Sequence, residues 1–294
     1  MLHSSAPGPI DRSFTPPNHR TSPFPPDFLI LGAQKSGTTS LAAALRSHPD
    51  VFVPRAKEAQ HFGRVPDDEA GGPAYRAFFG GWSGQRVVGE ATPNYLSSAT
   101  AAAQIARVLP RVKCIVVLRN PVDRAYSAFW NGRRVGRVRT DFATSIEQEL
   151  GEESPTDAWF TDLVEHGRYA EQLQQHLDLG LESDRLLVVI FEEMVGDEAR
   201  TLQTVQEFLA VDPLLSSLSR QNEASRSWLP RPVRSLLAPH YRRRAVARIN
   251  RLAHRPFTPP PMDPGVRARL VEYFRPHNAR LAELLGRDLP DWDR

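Results

Sequence analysis

The sequence predicts an α/β fold in which a parallel sheet is flanked by helices. Three observations carry this. Short apolar runs of strand length alternate with stretches of helical periodicity through most of the chain. The first run breaks at a glycine-bounded loop that opens a helix, and a later run ends in arginine just before a helix-opening proline. A loop of that kind after the first strand makes the sheet P-loop-type, in a single domain with a helical C-terminal embellishment.

The elements follow in order. Met1 to Pro26 holds prolines and serines without apolar periodicity, so a loose, disordered tail is expected over 1–26 and one folded unit over 27–294. Phe28-Leu29-Ile30-Leu31 has the length and bounds of a buried strand, and Gly32 to Gly37 separates it from a helix over about Thr38 to Arg46. Val51-Phe52-Val53 reads as a short strand and Arg86 to Glu90 as another, with Ile105 in the helix that follows. Val112 to Leu118 is a strongly apolar strand, and Pro121 opens the next helix where its missing N–H costs nothing. Helix, strand and helix are then expected around Tyr169–Leu179, Arg185–Phe191 and Ala199–Leu209. Pro256 to Pro264 looks like a rigid connector to a last helix over about 265–285. Such alternation puts ligands at the C-terminal ends of the strands.

Composition narrows the class. The chain has 294 residues, 40% hydrophobic and 24% charged, enough for a sizeable core. No stretch approaches the roughly 20 apolar residues of a membrane span, and the N-terminus lacks a signal-peptide pattern, so a cytoplasmic location is expected. The one cysteine, Cys114, sits in an apolar run and reads as core filling. A net charge of +3 argues against a general polyanion binder. Between Arg220 and Arg255, however, ten arginines face one acid, Glu223. That segment is either a solvated basic surface or a local positive field, and its prolines and sparse aromatics, Trp228 and Tyr241 alone, disfavour nucleic acid. Only Lys35, Lys57 and Lys113 are lysines among 37 basic residues. A lysine in such a chain suggests a need for a compact, mobile point charge.

Two of the three fall in motifs. Gly32-Ala33-Gln34-Lys35-Ser36-Gly37-Thr38-Thr39 joins a strand to a helix, the setting in which backbone N–H groups and the helix dipole cradle a phosphate. Its spacing is close to a Walker A loop, but Thr38 stands where a nucleoside triphosphatase carries lysine, and the lysine has moved forward to Lys35. No strand ends in an evident magnesium-holding aspartate, so an anion handled without metal is expected. The second motif runs from Val116 to Ser127, with Arg119 at a strand end and Ser127 about two turns into the following helix. Both could reach one anion, or Arg119 could pair with Asp123.

Together the two motifs resemble the sulfotransferase superfamily that uses 3′-phosphoadenosine 5′-phosphosulfate (PAPS). The resemblance implies that Lys35, Ser36, Gly37, Thr38 and Thr39 hold the 5′-phosphosulfate and that Arg119 and Ser127 hold the 3′-phosphate. It extends more loosely from Asp27 to Trp292, through Gly89-Glu90-Ala91-Thr92-Pro93-Asn94-Tyr95, Gly167-Arg168-Tyr169 and Phe274-Arg275-Pro276-His277-Asn278. These segments look most like the branch of heparan sulfate sulfotransferases and bacterial relatives.

Sulfuryl transfer to a hydroxyl needs a base for the departing proton and a cation for the leaving oxygen. Arg55-Ala56-Lys57-Glu58-Ala59-Gln60-His61-Phe62 resembles the Lys-Glu-x-x-x-Phe segment of that branch, which implies Glu58 as general base with Lys57 balancing charge at the sulfuryl group. Two plainer readings stand beside it: a pair on a surface turn, and a Lys57–Glu58 salt bridge. His61 and His48 are alternative bases, as in the histidine-base branch, although His48 before Pro49 also suits a helix end. The chain departs from the heparan-type pattern at Gln60, at Ala91 and in having no cysteine pair, and it has arginine-rich sequence over 222–234 in place of the usual nucleotide loop. The expected acceptor is a small molecule or a carbohydrate-containing natural product. A P-loop nucleotide kinase and a non-catalytic nucleotide-binding protein are the alternative classes.

Overall fold

The computed structural model describes residues 21–135, 137–151, 162–214 and 258–294. The arginine-rich segment 220–255 lies outside the described residues, as does the tail before residue 21. Packing onto the domain begins before residue 27: Phe24 meets Tyr75 edge-on at 6.2 Å, and the Arg76 guanidinium lies 3.9 Å from its ring centre.

Five parallel strands form the sheet, β1 (Phe28–Gly32), β2 (Val51–Phe52), β3 (Val87–Ala91), β4 (Lys113–Leu118) and β5 (Leu186–Ile190), in the order β2-β3-β1-β4-β5. Strands covered on both faces are built mostly of apolar residues, and β1, β3 and β4 are buried throughout, with Glu90 and Lys113 as their charged members. Alternation then sorts the side chains. Leu29, Leu31, Val88, Cys114, Val116 and Leu118 enter one core, while Phe28, Ile30, Val87, Ile115 and Val117 enter the other.

Helices α3 (Ala99–Val108), α6 (Tyr169–Asp178) and α9 (Pro264–Leu285) supply residues to the first core, and α1 (Thr38–Arg46) and α8 (Glu198–Phe208) to the second. A third apolar cluster joins α4 (Pro121–Val135) and α5 (Phe142–Leu150) to the N-terminal half of α9 through Phe129, Ile146, Leu270 and Phe274. Helix α9 thus spans two cores, which explains its 22 residues. Asp263 starts it, its Oδ1 accepting from the N–H groups of Gly265 at 2.8 Å and Val266 at 3.0 Å.

Short helices α2 (Pro73–Ala77) and α7 (Phe191–Gly196) were not anticipated, nor was α5. Helix α7 follows β5 without a connecting loop, so the apolar run gives no sign of the change. Cys114 is unpaired and buried, its thiol pushed up to about 12 by loss of solvent, as suits a core-filling residue.

Candidate active site

The loops after β1, β2, β3 and β4 gather at one edge of the sheet. Between β3 and β4 the chain crosses from one side of β1 to the other, so the loops after β1 and β4 diverge and leave room for a ligand. In the loop after β1, Lys35 (φ 72°) and Gly37 (φ 87°) both take left-handed backbone. A Cβ at Gly37 would come within 2.7 Å of Met194 Cε and 3.0 Å of the Phe191 ring, so glycine is required on both counts. Helix α1 begins at Thr38 without a side-chain cap. The neighbouring Ser36 hydroxyl is fully buried with no hydrogen-bond partner, a group still available to a ligand.

Lys35 is held at about pKa 8, down from 10.5, first by burial and then by the positive charges of Arg134, Arg119 and Lys57. Residues from four segments of the sequence thus meet electrostatically at one point. Arg119 Nη1 donates to the Lys35 carbonyl at 3.3 Å, and its guanidinium lies 4.9 Å from the Phe191 ring centre. Its own carbonyl accepts from the Tyr169 hydroxyl at 2.9 Å. Asp123 pairs with Arg267 at 2.8 Å, so the ion pair considered for Arg119 is not formed. Asn120 caps α4, its Oδ1 accepting from Val122 N–H at 3.0 Å and Asp123 N–H at 3.3 Å. Ser127 is half-buried on α4. Arg134, which the sequence reading passed over, lies seven residues further on and therefore on the same helix face. Asn131 Oδ1 accepts from its Nη2 at 3.0 Å.

The turn after β2 carries the other candidates. Lys57 and Gln60 both have φ 50°, an uncommon conformation for side chains of this kind. Lys57 Nζ lies 2.5 Å from Glu58 Oε1, and Gln60 Nε2 donates to Glu58 Oε2 at 2.9 Å. The salt bridge considered from sequence is therefore present. Glu58 nevertheless keeps 30% of its side chain exposed, against 14% for Lys57, so the carboxylate is the more accessible partner.

The histidines are engaged elsewhere. His61 Nε2 accepts from Gly71 N–H at 3.1 Å, its ring stacks on Tyr75 at 4.9 Å, and burial lowers its pKa. His48 Nδ1 accepts from Asp50 N–H at 3.1 Å, closing the turn after α1, while Nε2 donates to the Asp212 carbonyl at 2.9 Å and ties that turn to the segment after α8. Beside the Glu58 turn lies a cavity of about 230 Å³ lined by Gln60, Arg64, Thr92, Asn94, Asp162 and His166, among others. Asn94 Oδ1 is buried without a partner, and burial together with Arg124 depresses His166 to about 3, so its ring is neutral.

Behind the turn, Glu90 at the end of β3 is fully buried, and loss of solvent raises it to about 7 against hydrogen bonds from Thr92, Tyr95, Ala59 and Tyr75. Nothing in its strand pattern marked it as more than a polar residue at a strand end.

The family described as sulfotransferase domain matches residues 25–225. The human bifunctional heparan sulfate N-deacetylase/N-sulfotransferase 2 is 30% identical over 285 residues, 92% of this chain but 31% of that protein. The chain thus spans about a third of the length of that relative. Human heparan sulfate glucosamine 3-O-sulfotransferase 6 is 30% identical over 268 residues, covering 90% of this chain and 72% of that protein. Among solved structures, a sulfotransferase from Alicyclobacillus acidocaldarius superposes with a TM-score of 0.69 at 30% identity, covering 92% of this chain and 99% of that one. A mouse sulfotransferase complexed with PAP shares the fold, with a TM-score of 0.50 at 17% identity over 89% of this chain and 87% of that one.

Proposed function

The chain belongs to the sulfotransferase domain family, and from that premise we propose that it takes PAPS as donor and moves its sulfuryl group to a hydroxyl of a small-molecule or carbohydrate-containing acceptor. The observation that carries the donor reading is the convergence of Lys35, Lys57, Arg119 and Arg134 on the glycine-bounded loop, whose charges add to the larger effect of burial in holding Lys35 at about 8. Mutually repelling cations are stable together only at a cost, which a polyanion relieves. In this reading Lys35, the Ser36 hydroxyl and the amides at Gly37, Thr38 and Thr39 take the 5′-phosphosulfate, and Arg119 and Ser127 take the 3′-phosphate.

The acceptor oxygen attacks sulfur in line, its bond to sulfur forming as the bond to the bridging oxygen breaks. The hydroxyl proton passes to Glu58, and the negative charge left on the 5′-phosphate oxygen is met by Lys35. Lys57, which neutralises Glu58 at rest, turns to the sulfuryl oxygens once the donor is in place. That exchange frees the carboxylate as base, so the resting salt bridge and the catalytic role describe two states of one pair. The acceptor enters from the cavity beside Gln60, whose hydroxyl, amide and charged lining suits a polar molecule better than an apolar one. A nucleotide kinase gains no support, because Thr38 occupies the position of its phosphate-binding lysine.

Labelled PAPS incubated with the protein and extracts of the source cells should yield a product heavier by one sulfate, identified by mass spectrometry. Calorimetry should show 3′-phosphoadenosine 5′-phosphate binding far more tightly than AMP, without magnesium. Equal affinities for the two would remove the role given to Arg119 and Ser127. Glu58→Gln should leave that affinity nearly unchanged and lower turnover by roughly 10²–10⁴, the range of general-base catalysis.

A further inference from the structure

The turn that carries Glu58 is an improbable piece of backbone, with Lys57 and Gln60 both left-handed and neither a glycine. Each such residue costs on the order of 1 kcal/mol or more, so the surroundings must impose the conformation. Three contacts from the end of β3 do so. Ala91 N–H donates to the Lys57 carbonyl at 2.8 Å, Gln60 N–H donates to Thr92 Oγ1 at 3.2 Å, and Ala59 N–H points to Glu90 Oε2 at 3.5 Å. The Thr92 hydroxyl in turn donates to the same Glu90 oxygen at 2.7 Å. Glu90 Oε2 therefore fixes the direction of the hydroxyl whose lone pair receives Gln60 N–H, besides facing Ala59 N–H itself.

Glu90 is an expensive residue in this place. It is fully buried, and no cation is among the groups that set its titration; the titratable groups facing it are Tyr75 from α2 and Tyr95 from the segment after β3. A position with only a packing role is better filled by an apolar side chain of similar size. What the carboxylate provides is a single acceptor that aligns two donors, one of which orients the turn.

From this geometry we infer that Glu90, acting through Thr92, is a positioning residue for Glu58, holding the 57–60 turn so that the carboxylate faces the acceptor side of the donor loop. The inference rests on the reading of Glu58 as the base, and it adds a residue that touches neither donor nor acceptor. The Gln60 side chain completes the link, since its amide donates to Glu58 Oε2 while its backbone N–H is held by Thr92. Displacing a reacting group by about 1 Å can cost 10²-fold in rate, which sets the scale of the effect.

The test uses the full chain, with labelled PAPS and water as the acceptor, reading released sulfate, and amide hydrogen exchange read separately at Ala59 and Gln60. Glu90→Leu and Thr92→Val should each lower sulfate release by roughly 10- to 100-fold. Both should leave affinity for 3′-phosphoadenosine 5′-phosphate unchanged and speed exchange at the two amides. Glu90→Gln and Thr92→Ser, which keep the acceptor and the hydroxyl, should restore most of both readouts. In a Glu58→Gln background the loss caused by Thr92→Val should vanish, because a residue acting through Glu58 has nothing left to position. Additive losses in the double variant would overturn the inference, as would unchanged exchange and sulfate release in Thr92→Val. Should Glu90→Leu fail to fold, Thr92→Val carries the same test through one hydroxyl. If Glu58→Gln itself releases sulfate at the normal rate, it is the base assignment that falls, and the exchange data still decide whether Glu90 orders the turn.

Discussion

The ammonium of Lys35 is disfavoured by its surroundings, first because burial leaves it little solvent and then because three cations lie around it. Two consequences follow for its titration. Its pKa of about 8 lies below the ordinary 10.5, so the folded protein releases a proton that the unfolded chain still holds between those values. Stability should therefore rise with pH over that window in the ligand-free protein. A bound polyanion reverses the shift, so binding of 3′-phosphoadenosine 5′-phosphate should take up a proton above pH 8 and weaken as pH rises further. Calorimetry in buffers of different ionisation enthalpy measures that uptake, and none at pH 9 would remove Lys35 from the anion's surroundings. Lys35→Ala should also cost roughly 10²–10³ in turnover, the range for losing one group that meets developing charge. Arg119→Ala should weaken nucleotide binding by about 1.5–3 kcal/mol, as for hydrogen bonds to a charged group. Lys35 and Arg119 were legible because each lies just beyond the C-terminal end of an apolar strand, where ligands collect in such sheets. Arg134 was not, since its approach to Lys35 depends on how α4 lies beside the loop; the one sequence signal was its seven-residue spacing from Ser127.

At the scale of elements, the four long strands were readable because strands packed between helices are built mostly of apolar residues, β3 with Glu90 and β4 with Lys113 being the interrupted ones. The missed helices are short, and their causes are local or tertiary. Asp141 caps α5 by accepting from Thr144 N–H at 2.9 Å, a signal present in the sequence. Helix α7 has no such mark, and Glu192 within it is used tertiarily: its Oε1 accepts from Asn120 N–H at 2.9 Å at the start of α4. The Gly167-Arg168-Tyr169 segment, first noted as a resemblance, gains a physical reason here. A Cβ on Gly167 would stand 2.7 Å from the Phe274 ring of α9, and the next-but-one residue, Tyr169, holds the Arg119 carbonyl. Gly167→Ala should therefore push α9 away from α4 and loosen Arg119 with it. Thermal unfolding and nucleotide affinity should fall together, whereas a loss of stability with normal affinity would separate the two.

Across the whole molecule, several buried groups titrate abnormally and pull stability in opposite directions. Glu90 and Glu149 are each raised to about 7 by burial, so the native state holds protons that the unfolded chain releases from about 4.5 upward, and stability falls with pH over that range. His166, lowered to about 3, acts oppositely and adds stability as pH rises towards 6.5. The histidine term offsets only part of the two carboxyl terms up to about pH 6.5, above which the carboxyl terms act without it. Melting temperature should thus decline between about pH 6.5 and 7.5 and recover above 8 as Lys35 discharges. Glu90→Gln should flatten part of the decline, and an unchanged slope would show that Glu90 does not ionise there. The order of the strands has a further consequence, for synthesis. Strand β1 is made first but sits in the middle of the sheet, where Phe28 pairs with both Gly89 and Lys113. Its neighbours emerge only after long intervening stretches, and such distant pairings close late. The loop bearing Lys35 is therefore translated early and shaped late, once β4 has left the ribosome. Ribosome-stalled chains ending before Leu118 should leave Lys35 open to protease, and chains reaching past Ile190 should protect it.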